Sequence, residues 1–248
     1  MRYLICDARA PGWFWDAARE HGLTPLPLPS FSRLGPAVCG HMDTLFCILE
    51  GKLYCHRDYY ADPAARQALD RFASLSGLAV ETTIQPIGPD YPDDILFNVL
   101  CVEHDLFGLL PKVSKKIIEA ARRSGYRLHS VRQGYARCSA CPVGSHGVIT
   151  ADPGLGESFR EAGYDVLLIR PGHISLPGLN QGFIGGCSGR IGDALVFCGD
   201  LDTHPDAPGI REFAALHGMS CLSFGSGPLT DIGGFAILAE QDGDPVSP

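Results

Sequence analysis

The sequence of 248 residues predicts an α/β fold built from five similar units, each with the order strand–strand–helix–strand, arranged in a ring around a central pocket. A helical pattern that ends at a glycine and continues into an apolar strand occurs five times. A pair of short apolar runs joined by a turn precedes most of these helices. The two ends of the chain supply complementary parts of one unit, which closes the ring.

The five predicted helices have apolar side chains at helical spacing, and each ends at a glycine suited to the left-handed position after a helix. Several begin with Asp or Pro, which favour a helix start. In chain order they are FWDAAREHG, ending at Gly22; DPAARQALDRFASLSG, ending at Gly77; PKVSKKIIEAARRSG, ending at Gly125; DPGLGESFREAG, ending at Gly163; and HPDAPGIREFAALHG, ending at Gly218.

The strand pairs are predicted from apolar runs separated by turn residues. They are residues 45–49 with 53–55, 95–102 with 106–110, 143 with 148–150, and 183–187 with 194–197. The segment 231–240 adds strands without a helix, and the N-terminal segment adds a helix with few strands. The first strand of each unit should point at the axis, so side chains there are expected to line one shared pocket.

Composition excludes several classes of protein. A chain with 45% hydrophobic residues and 19% charged residues has enough apolar surface for a sizeable core and is not a disordered chain. The net charge of −8, without a basic stripe, argues against nucleic acid as a partner. We expect one domain over residues 1–240 and a flexible tail at 241–248.

The protein is expected to be cytoplasmic and to have no membrane partner. The start of the chain lacks the apolar core of a signal peptide, and no apolar run reaches the roughly 18 residues of a membrane helix. Most of the ten cysteines should then be free, buried thiols.

Three stretches resemble motifs of the arginine deiminases, which are guanidino-group-modifying enzymes of the pentein fold. GHMDTLF at residues 40–46 resembles their His-x-Asp-Thr-x-Phe motif, and NVL at 98–100 resembles the Asn-containing strand that follows it. GYARCSACP at 134–142 resembles the glycine-rich stretch that presents their nucleophilic cysteine. The resemblance implies a five-unit pentein fold, circularly permuted because two more units follow the cysteine unit here.

The resemblance also implies roles for individual residues. Cys138 would be the nucleophile, His41 the acid/base, and Asp43 the residue that helps hold His41 and the substrate. Asn98 and Arg137 are expected at the substrate as well.

The acids that clamp the substrate in that family lie in Asp- and Glu-containing motifs, one of them Glu-Gly-Gly-Asp. The matching stretches here are IGGC at residues 184–187 and DIGGF at 231–235, which do not supply the expected carboxylate pair. Asp193 and Asp231 lie near the matching positions and are the candidates for holding a substrate cation. Cys187 is expected to line the pocket or to replace one of the family's carboxylates.

A longer stretch, from residue 133 to about residue 233, resembles an uncharacterised bacterial family of pentein-like proteins (DUF6873-like). The matching segments are QGYARCSAC, PGHISLPG, FIGGCSG, GDLDTHPD and GPLTDIG. This resemblance supports the predicted fold and implies no activity.

The residues themselves suit nucleophilic chemistry. At positions i and i+2 of a strand, His41 and Asp43 would share one face, and a carboxylate that orients an imidazole favours acid/base catalysis. A thiolate is a better nucleophile than a thiol, so we expect Arg137 and protonated His41 to lower the pKa of Cys138. The structural alternatives are a histidine satisfied beside a turn aspartate and one more buried thiol.

Three hypotheses about function follow. The first is a cysteine-dependent hydrolase or transferase that acts on a small guanidino or amidine molecule through a covalent thiouronium intermediate, without a cofactor. The second is a non-catalytic pentein that binds a partner. The third is a small metal or redox site at Cys138 and Cys141, although a structural zinc site usually needs a second pair of ligands. The sequence leaves the oligomeric state open.

Overall fold

Five three-stranded sheets make up the computed structural model, which describes residues 1–239. In each sheet the middle strand pairs antiparallel with one neighbour and parallel with the other. Four sheets take consecutive strands and are numbered first to fourth along the chain, and the fifth, terminal sheet combines the last strand with the first two. The predicted tail, 241–248, lies outside the described residues.

The strands in chain order are β1 (Arg2–Asp7), β2 (Leu23–Leu28), β3 (Phe46–Leu49), β4 (Lys52–His56), β5 (Ala79–Thr83), β6 (Leu100–Val102), β7 (Asp105–Gly108), β8 (Arg127–Ser130), β9 (Ala140–Val143), β10 (Gly147–Thr150), β11 (Asp165–Leu168), β12 (Ser188–Ile191), β13 (Ala194–Cys198), β14 (Ser220–Phe224) and β15 (Ala236–Ala239). The α-helices are α1 (Gly12–Glu20), α2 (Met42–Leu45), α3 (Arg57–Ala61), α4 (Pro63–Ser76), α5 (Lys115–Arg123), α6 (Ala136–Ser139), α7 (Pro153–Glu161) and α8 (Ala207–Leu216). Short 3₁₀ turns occupy Leu110–Lys112 and Leu201–Thr203.

The five predicted helices are α1, α4, α5, α7 and α8, and each connects the middle strand of a sheet to its parallel neighbour. A parallel pair needs such a crossover. The helices end one or two residues before the glycines at 22, 77, 125, 163 and 218, and all five of these glycines have positive φ.

Shared cores join the sheets into a ring. One cluster of buried side chains packs β3 and β4 against β6 and β7, and similar clusters join each following pair of sheets. The last cluster returns to the start, because Ile5 and Leu28 of the terminal sheet pack with Leu53 and Phe72. The ring of five units therefore forms as predicted, with the first two strands and the last described strand in one sheet.

The inner strands begin later than predicted. The predicted strand at 95–102 is a turn at its N-terminal end and a strand only from Leu100. The predicted strand at 183–187 is wrong, because these residues form a turn and the strand starts only at Ser188. The helical turns α2 and α6 occupy the corresponding positions before β3 and β9. A continuous apolar run fits a buried turn as well as a strand, so periodicity alone could not separate them.

No helix within residues 1–239 is long and apolar enough to cross a bilayer.

Removing the last strand should open the ring. A chain that ends at Phe235 loses β15, whose four residues pair with β1, together with its half-buried Ile237 and Leu238 side chains. We expect the free energy of unfolding, measured in urea, to fall by about 3 kcal/mol or more. A control chain that ends at Glu240 keeps β15 and should stay within about 0.5 kcal/mol of the full chain. Equal stability of the two truncated chains would contradict this closure.

Candidate active site

Five polar side chains from four turns meet at the axis. His41 and Asp43 precede β3, Asn98 precedes β6, Cys138 lies in α6 before β9, and Asp231 precedes β15. None of the five is more than 3% exposed. We call these five residues the axial cluster.

Backbone hydrogen bonds connect these turns to one another. The N–H of Gly186 donates to the carbonyl of Cys138 at 3.0 Å, and the N–H of Gly234 donates to the carbonyl of Gly186 at 2.7 Å. The N–H of Asp43 donates to the carbonyl of Gly233 at 3.4 Å. The relative positions of the axial side chains are therefore set by main-chain contacts between units.

The Cys138 thiol is held from two sides. It donates to Asp43 Oδ2 over 2.8 Å, and Asn98 Nδ2 donates to Cys138 Sγ over 3.0 Å. Asn98 Oδ1 accepts the backbone N–H of Arg137 at 2.8 Å, so the same amide also fixes the start of α6. Asn98 is thus a positioning residue for the thiol.

Asp231 is the carboxylate that accompanies His41. His41 Nδ1 lies 3.8 Å from Asp231 Oδ1, which is an ion-pair distance. The carboxylate accepts the N–H of Phe183 at 2.8 Å and that of Gly233 at 2.9 Å.

The expected pairing of His41 with Asp43 on one strand face does not occur, because residues 42–45 form a helical turn and not a strand. Residues i and i+2 of a helical turn do not face each other. Asp43 binds the thiol, and Asp231 lies beside the imidazole.

Burial dominates the electrostatics of the axial cluster. It raises the pKa of Asp43 to about 6; the nearby His41 opposes the shift and the negative charge of Asp231 adds to it. Burial also raises the pKa of Asp231, against the opposing effect of His41.

The thiol shows the same effect. Burial and then the charge of Asp43 raise the pKa of Cys138 well above its ordinary value. The structure thus differs from the expectation of a lowered thiol pKa, because desolvation and two carboxylates surround the sulfur. A positive charge brought between Asp43 and Asp231 would reverse this effect.

Glycines let the turns approach the cluster. A Cβ on Gly186 would lie 2.0 Å from Asp231 Oδ1, and one on Gly233 would lie 2.2 Å from the Cβ of His41. Gly233 also has a φ of 74°, which a side chain disfavours. The Gly-Gly pairs of both matching stretches therefore have a structural role at the site.

Arg137 and Cys141 lie close to the cluster in different ways. Arg137 is half-buried, its Nη1 donates to the carbonyl of Gly185 at 3.4 Å, and its charge lowers the pKa of Asp43 and of Asp231. Cys141 is buried among the side chains between the third and fourth sheets, and its thiol contacts the carbonyl of Pro142 at 3.8 Å. Within residues 1–239, no group of three or more His, Cys, Asp or Glu side chains is arranged to hold a metal ion.

Two predicted substrate residues are located outside the cluster. The Cys187 side chain is fully buried in the core between the third and fourth sheets, and its thiol donates to the carbonyl of Ile184 at 3.3 Å. The Asp193 side chain is 89% exposed and lies 3.6 Å from Arg190. Because β12 begins only at Ser188, Asp193 falls in the turn at the far end of that strand, and the structure does not bring it to the axis.

The end of β1 carries an ion pair between Asp7 and Arg9 that the sequence does not predict. Asp7 is 3% exposed and receives Arg9 Nε at 3.0 Å and Arg9 Nη2 at 2.6 Å. Both residues line a cavity of about 250 Å³ together with His41 and Asp231. The available signal was an aspartate directly after the apolar run at residues 3–6.

A second cavity of about 250 Å³ borders the cluster through Asp43 and Arg137, and its other walls are mostly apolar. Asp43 Oδ1 is buried and has no hydrogen-bond partner among the described residues. Cys138 is not among the described wall residues of either cavity. The thiol contacts Asp43, which lines the second cavity, and is itself only 3% exposed.

Replacing Gly186 with Ala should displace Asp231, because the new Cβ would collide with its carboxylate. We expect the free energy of unfolding to fall by about 2–4 kcal/mol, since overpacking is added to two lost hydrogen bonds. The matched control is Gly227→Ala, for which no described atom lies within 4 Å of the new Cβ. Equal losses in the two variants, measured by urea unfolding, would refute this explanation.

Asp43→Asn should stabilise the protein in a pH-dependent way. The folded protein binds more protons than the unfolded chain between a pH of about 4 and about 6, because the pKa of Asp43 is raised. Native stability therefore falls as the pH rises through this window, and the variant should be more stable by about 2–3 kcal/mol at pH ~8 and no more stable at pH ~4. Urea unfolding across this range measures it, with exposed Asp193→Asn as control. A gain that does not change with pH would be the contradicting result.

Solved structures of low sequence identity have the same fold. The chain is similar to dimethylarginine dimethylaminohydrolase (DDAH) from Pseudomonas aeruginosa, with a TM-score of 0.51, 10% identity and coverage of 89% of this chain and 91% of the other. It is also similar to an amidinotransferase from Microseira wollei in the saxitoxin biosynthetic pathway, with a TM-score of 0.53, 11% identity and coverage of 94% and 80%. For the agmatine deiminase of C. jejuni the values are 0.53, 9%, 90% and 86%.

At this level of identity the likeness establishes the fold, and the fold is the pentein fold predicted from the sequence. No curated protein matches the chain by sequence. Residues 5–236 match a family described as a family of unknown function, DUF6873. Since the match spans nearly the whole chain, the protein belongs to that family.

Proposed function

We propose that this protein is a cysteine-dependent hydrolase or transferase that acts on a small guanidino or amidine compound through a covalent thiouronium intermediate. The observation that carries the proposal is the Cys138 thiol held between the Asp43 carboxylate and the Asn98 amide, with His41 and Asp231 beside it. Three solved structures of the same fold bear the names of guanidino-modifying enzymes, which is consistent with this chemistry.

A planar cation suits the charge of the axial cluster. Asp43 and Asp231 are two buried carboxylates whose pKa values are raised mainly by desolvation, so a bound cation would relieve that cost. Asp43 Oδ1 has no partner within the described part of the chain and can accept an N–H of a guanidinium. Arg137 limits the net negative charge, which favours a substrate with a single positive charge.

Each step of the reaction has a residue within the cluster. The substrate cation lowers the pKa of Cys138, and the thiol proton passes to Asp43 Oδ2 at 2.8 Å as Sγ attacks the central carbon. Protonated His41 gives a proton to the leaving amine, the carbon–nitrogen bond breaks, and the thiouronium remains on Cys138. Neutral His41 then takes a proton from water, or from an acceptor amine, as this nucleophile attacks the same carbon. The carbon–sulfur bond breaks, and the proton on Asp43 returns to the thiolate.

The cavity that includes His41 and Asp231 in its walls is the proposed substrate entrance. His41 would meet the leaving group there, and the same opening would admit water or the acceptor. Cys138 is 3% exposed, so its cover of side chains must shift when substrate binds.

The burial of the Cys138 thiol also favours a second candidate function, that of a non-catalytic binding protein. A buried thiol with a raised pKa is a weak nucleophile unless a ligand changes its surroundings. In this alternative the cavity binds a small molecule or a partner without a reaction at Cys138. The two candidates differ in the reactivity of one thiol.

Alkylation by 2-chloroacetamidine, compared with neutral iodoacetamide, separates them. The amidinium mimics the substrate cation and should lower the thiol pKa as it binds, so Cys138 should react with it at least about tenfold faster than the other cysteines at pH ~7. Iodoacetamide should label Cys138 slowly at neutral pH and faster as the pH rises. Mass spectrometry of the digested protein locates both labels.

His41→Ala should weaken the amidine-selective labelling, and Cys138→Ser should abolish turnover of any substrate found in a screen of guanidines. Cys221→Ser is the matched control, because this thiol is half-buried and outside the axial cluster. Amidine labelling of Cys138 no faster than that of the other cysteines would overturn the enzymatic proposal and leave the binding protein.

A further inference from the structure

Two cysteines occupy equivalent positions in neighbouring units. Cys47 is the second residue of β3, and Cys101 is the second residue of β6. These are the inner strands of adjacent sheets, so the two side chains approach each other across one interface of the ring. All ten cysteines are free in the structure.

Several contacts bring the two thiols together. Both side chains pack in the core cluster between the first and second sheets. Both also line the second cavity, the one that borders Asp43 and Arg137. The neighbouring Cys101 thiol, and after it burial, raise the pKa of Cys47, whose Sγ lies 3.7 Å from the carbonyl oxygen of Ile48. A disulfide would join these two neighbouring side chains when their sulfurs come to the bonding distance of about 2.05 Å.

The two strands carry the groups that hold Cys138. Asp43, which accepts a hydrogen bond from the Cys138 thiol, lies in the turn that leads into the strand of Cys47. Asn98, which donates to Cys138 Sγ, lies just before the strand of Cys101. A bond between the two strands would therefore fix Asp43 and Asn98 relative to each other.

We propose that Cys47 and Cys101 form a reversible disulfide by exchange with a low-molecular-weight disulfide, and that this bond changes the reactivity of Cys138. Cys101 is half-buried and Cys47 is only 7% exposed, so Cys101 reacts first. In a reducing compartment the pair stays as two thiols, and a bond forms only under oxidising conditions.

Oxidised glutathione is the oxidant in this thiol–disulfide exchange. The Cys101 thiolate, its proton lost to solvent, attacks one sulfur of oxidised glutathione and releases one glutathione thiolate. Cys47 then loses its proton and attacks the Cys101 sulfur, which forms the protein disulfide and releases the second glutathione. Two protein thiols are oxidised, and one glutathione disulfide is reduced to two thiols.

The experiment treats the native protein with oxidised glutathione, blocks remaining thiols with N-ethylmaleimide, and digests without reduction. Mass spectrometry should find the peptide of Cys47 joined to that of Cys101, lighter by two hydrogen atoms than the two thiol peptides together. Dithiothreitol should reverse the bond. Cys101→Ser should lose the cross-link, whereas Cys221→Ser, which removes another half-buried thiol, should keep it.

The rate of Cys138 alkylation by iodoacetamide, measured on oxidised and reduced protein, tests the second half of the proposal. We expect a several-fold change that dithiothreitol reverses and that Cys101→Ser lacks. This neutral reagent gives a ratio whether or not the protein acts on guanidines, so the result stands apart from the proposed function. A stable mixed glutathione adduct on Cys101, or no oxidation at either cysteine, would refute the disulfide. A cross-link with an unchanged Cys138 rate would refute its effect on the site.

Discussion

The burial of the Asp43 and Asp231 carboxylates at the axis, with the Cys138 thiol donating to Asp43, is the constraint on which the geometry of the site depends. Two carboxylates lie at the axis, where losing water is costly unless hydrogen bonds and opposite charges compensate. Asp231 receives two backbone N–H groups and lies beside His41, whereas Asp43 has the thiol and one oxygen without a partner in the described residues. The compensation is incomplete, and the raised carboxyl pKa values express the deficit. Under the proposed function this arrangement suits a substrate cation, because the cost of removing water from the carboxylates is met during folding.

The backbone at the axis follows from the same constraint. Side chains that must converge on one point cannot all project from regular strands, whose side chains alternate between faces. Short turns precede the inner strands instead, and hydrogen bonds link the turn of Cys138 to those of Gly186 and Gly233. Glycine is needed at both of these positions, because a Cβ there would collide with Asp231 or with His41. Backbone conformation and site chemistry are thus parts of one arrangement.

The five units were predictable because helices, glycines after helices and turn-linked strands are local sequence signals. The shared terminal unit was predictable because the N-terminal segment has a helix with few strands and the C-terminal segment has strands without a helix. Cys138, His41, Asp43, Asn98 and Asp231 were all named, and they meet. Which of these side chains bind one another was not predictable, because their hydrogen bonds depend on turns before the inner strands. An apolar run in the sequence is compatible with either a turn or a strand. Asp193 was expected at the site because it lies near the positions that match the family's clamping acids, but its side chain is 89% exposed. Cys47 and Cys101 come from separate segments, and a single sequence carries no signal for their proximity. Asp7 and Arg9 are only two residues apart, and the sequence did not show that this pair shares a cavity with His41 and Asp231.

The closure of the ring by the strand Ala236–Ala239 has a consequence for folding on the ribosome. His41 and Asp231 are far apart in sequence, and the chain must bring its two ends together before they meet. Contacts of such long range form late, because the entropy of closing the loop must be overcome first. Four sheets can assemble from consecutive strands as the chain emerges, but the sheet of the first two strands is completed only when the strand Ala236–Ala239 pairs with the first. The axial cluster is completed only at that final step, so a partly made chain holds Cys138 and His41 without Asp231.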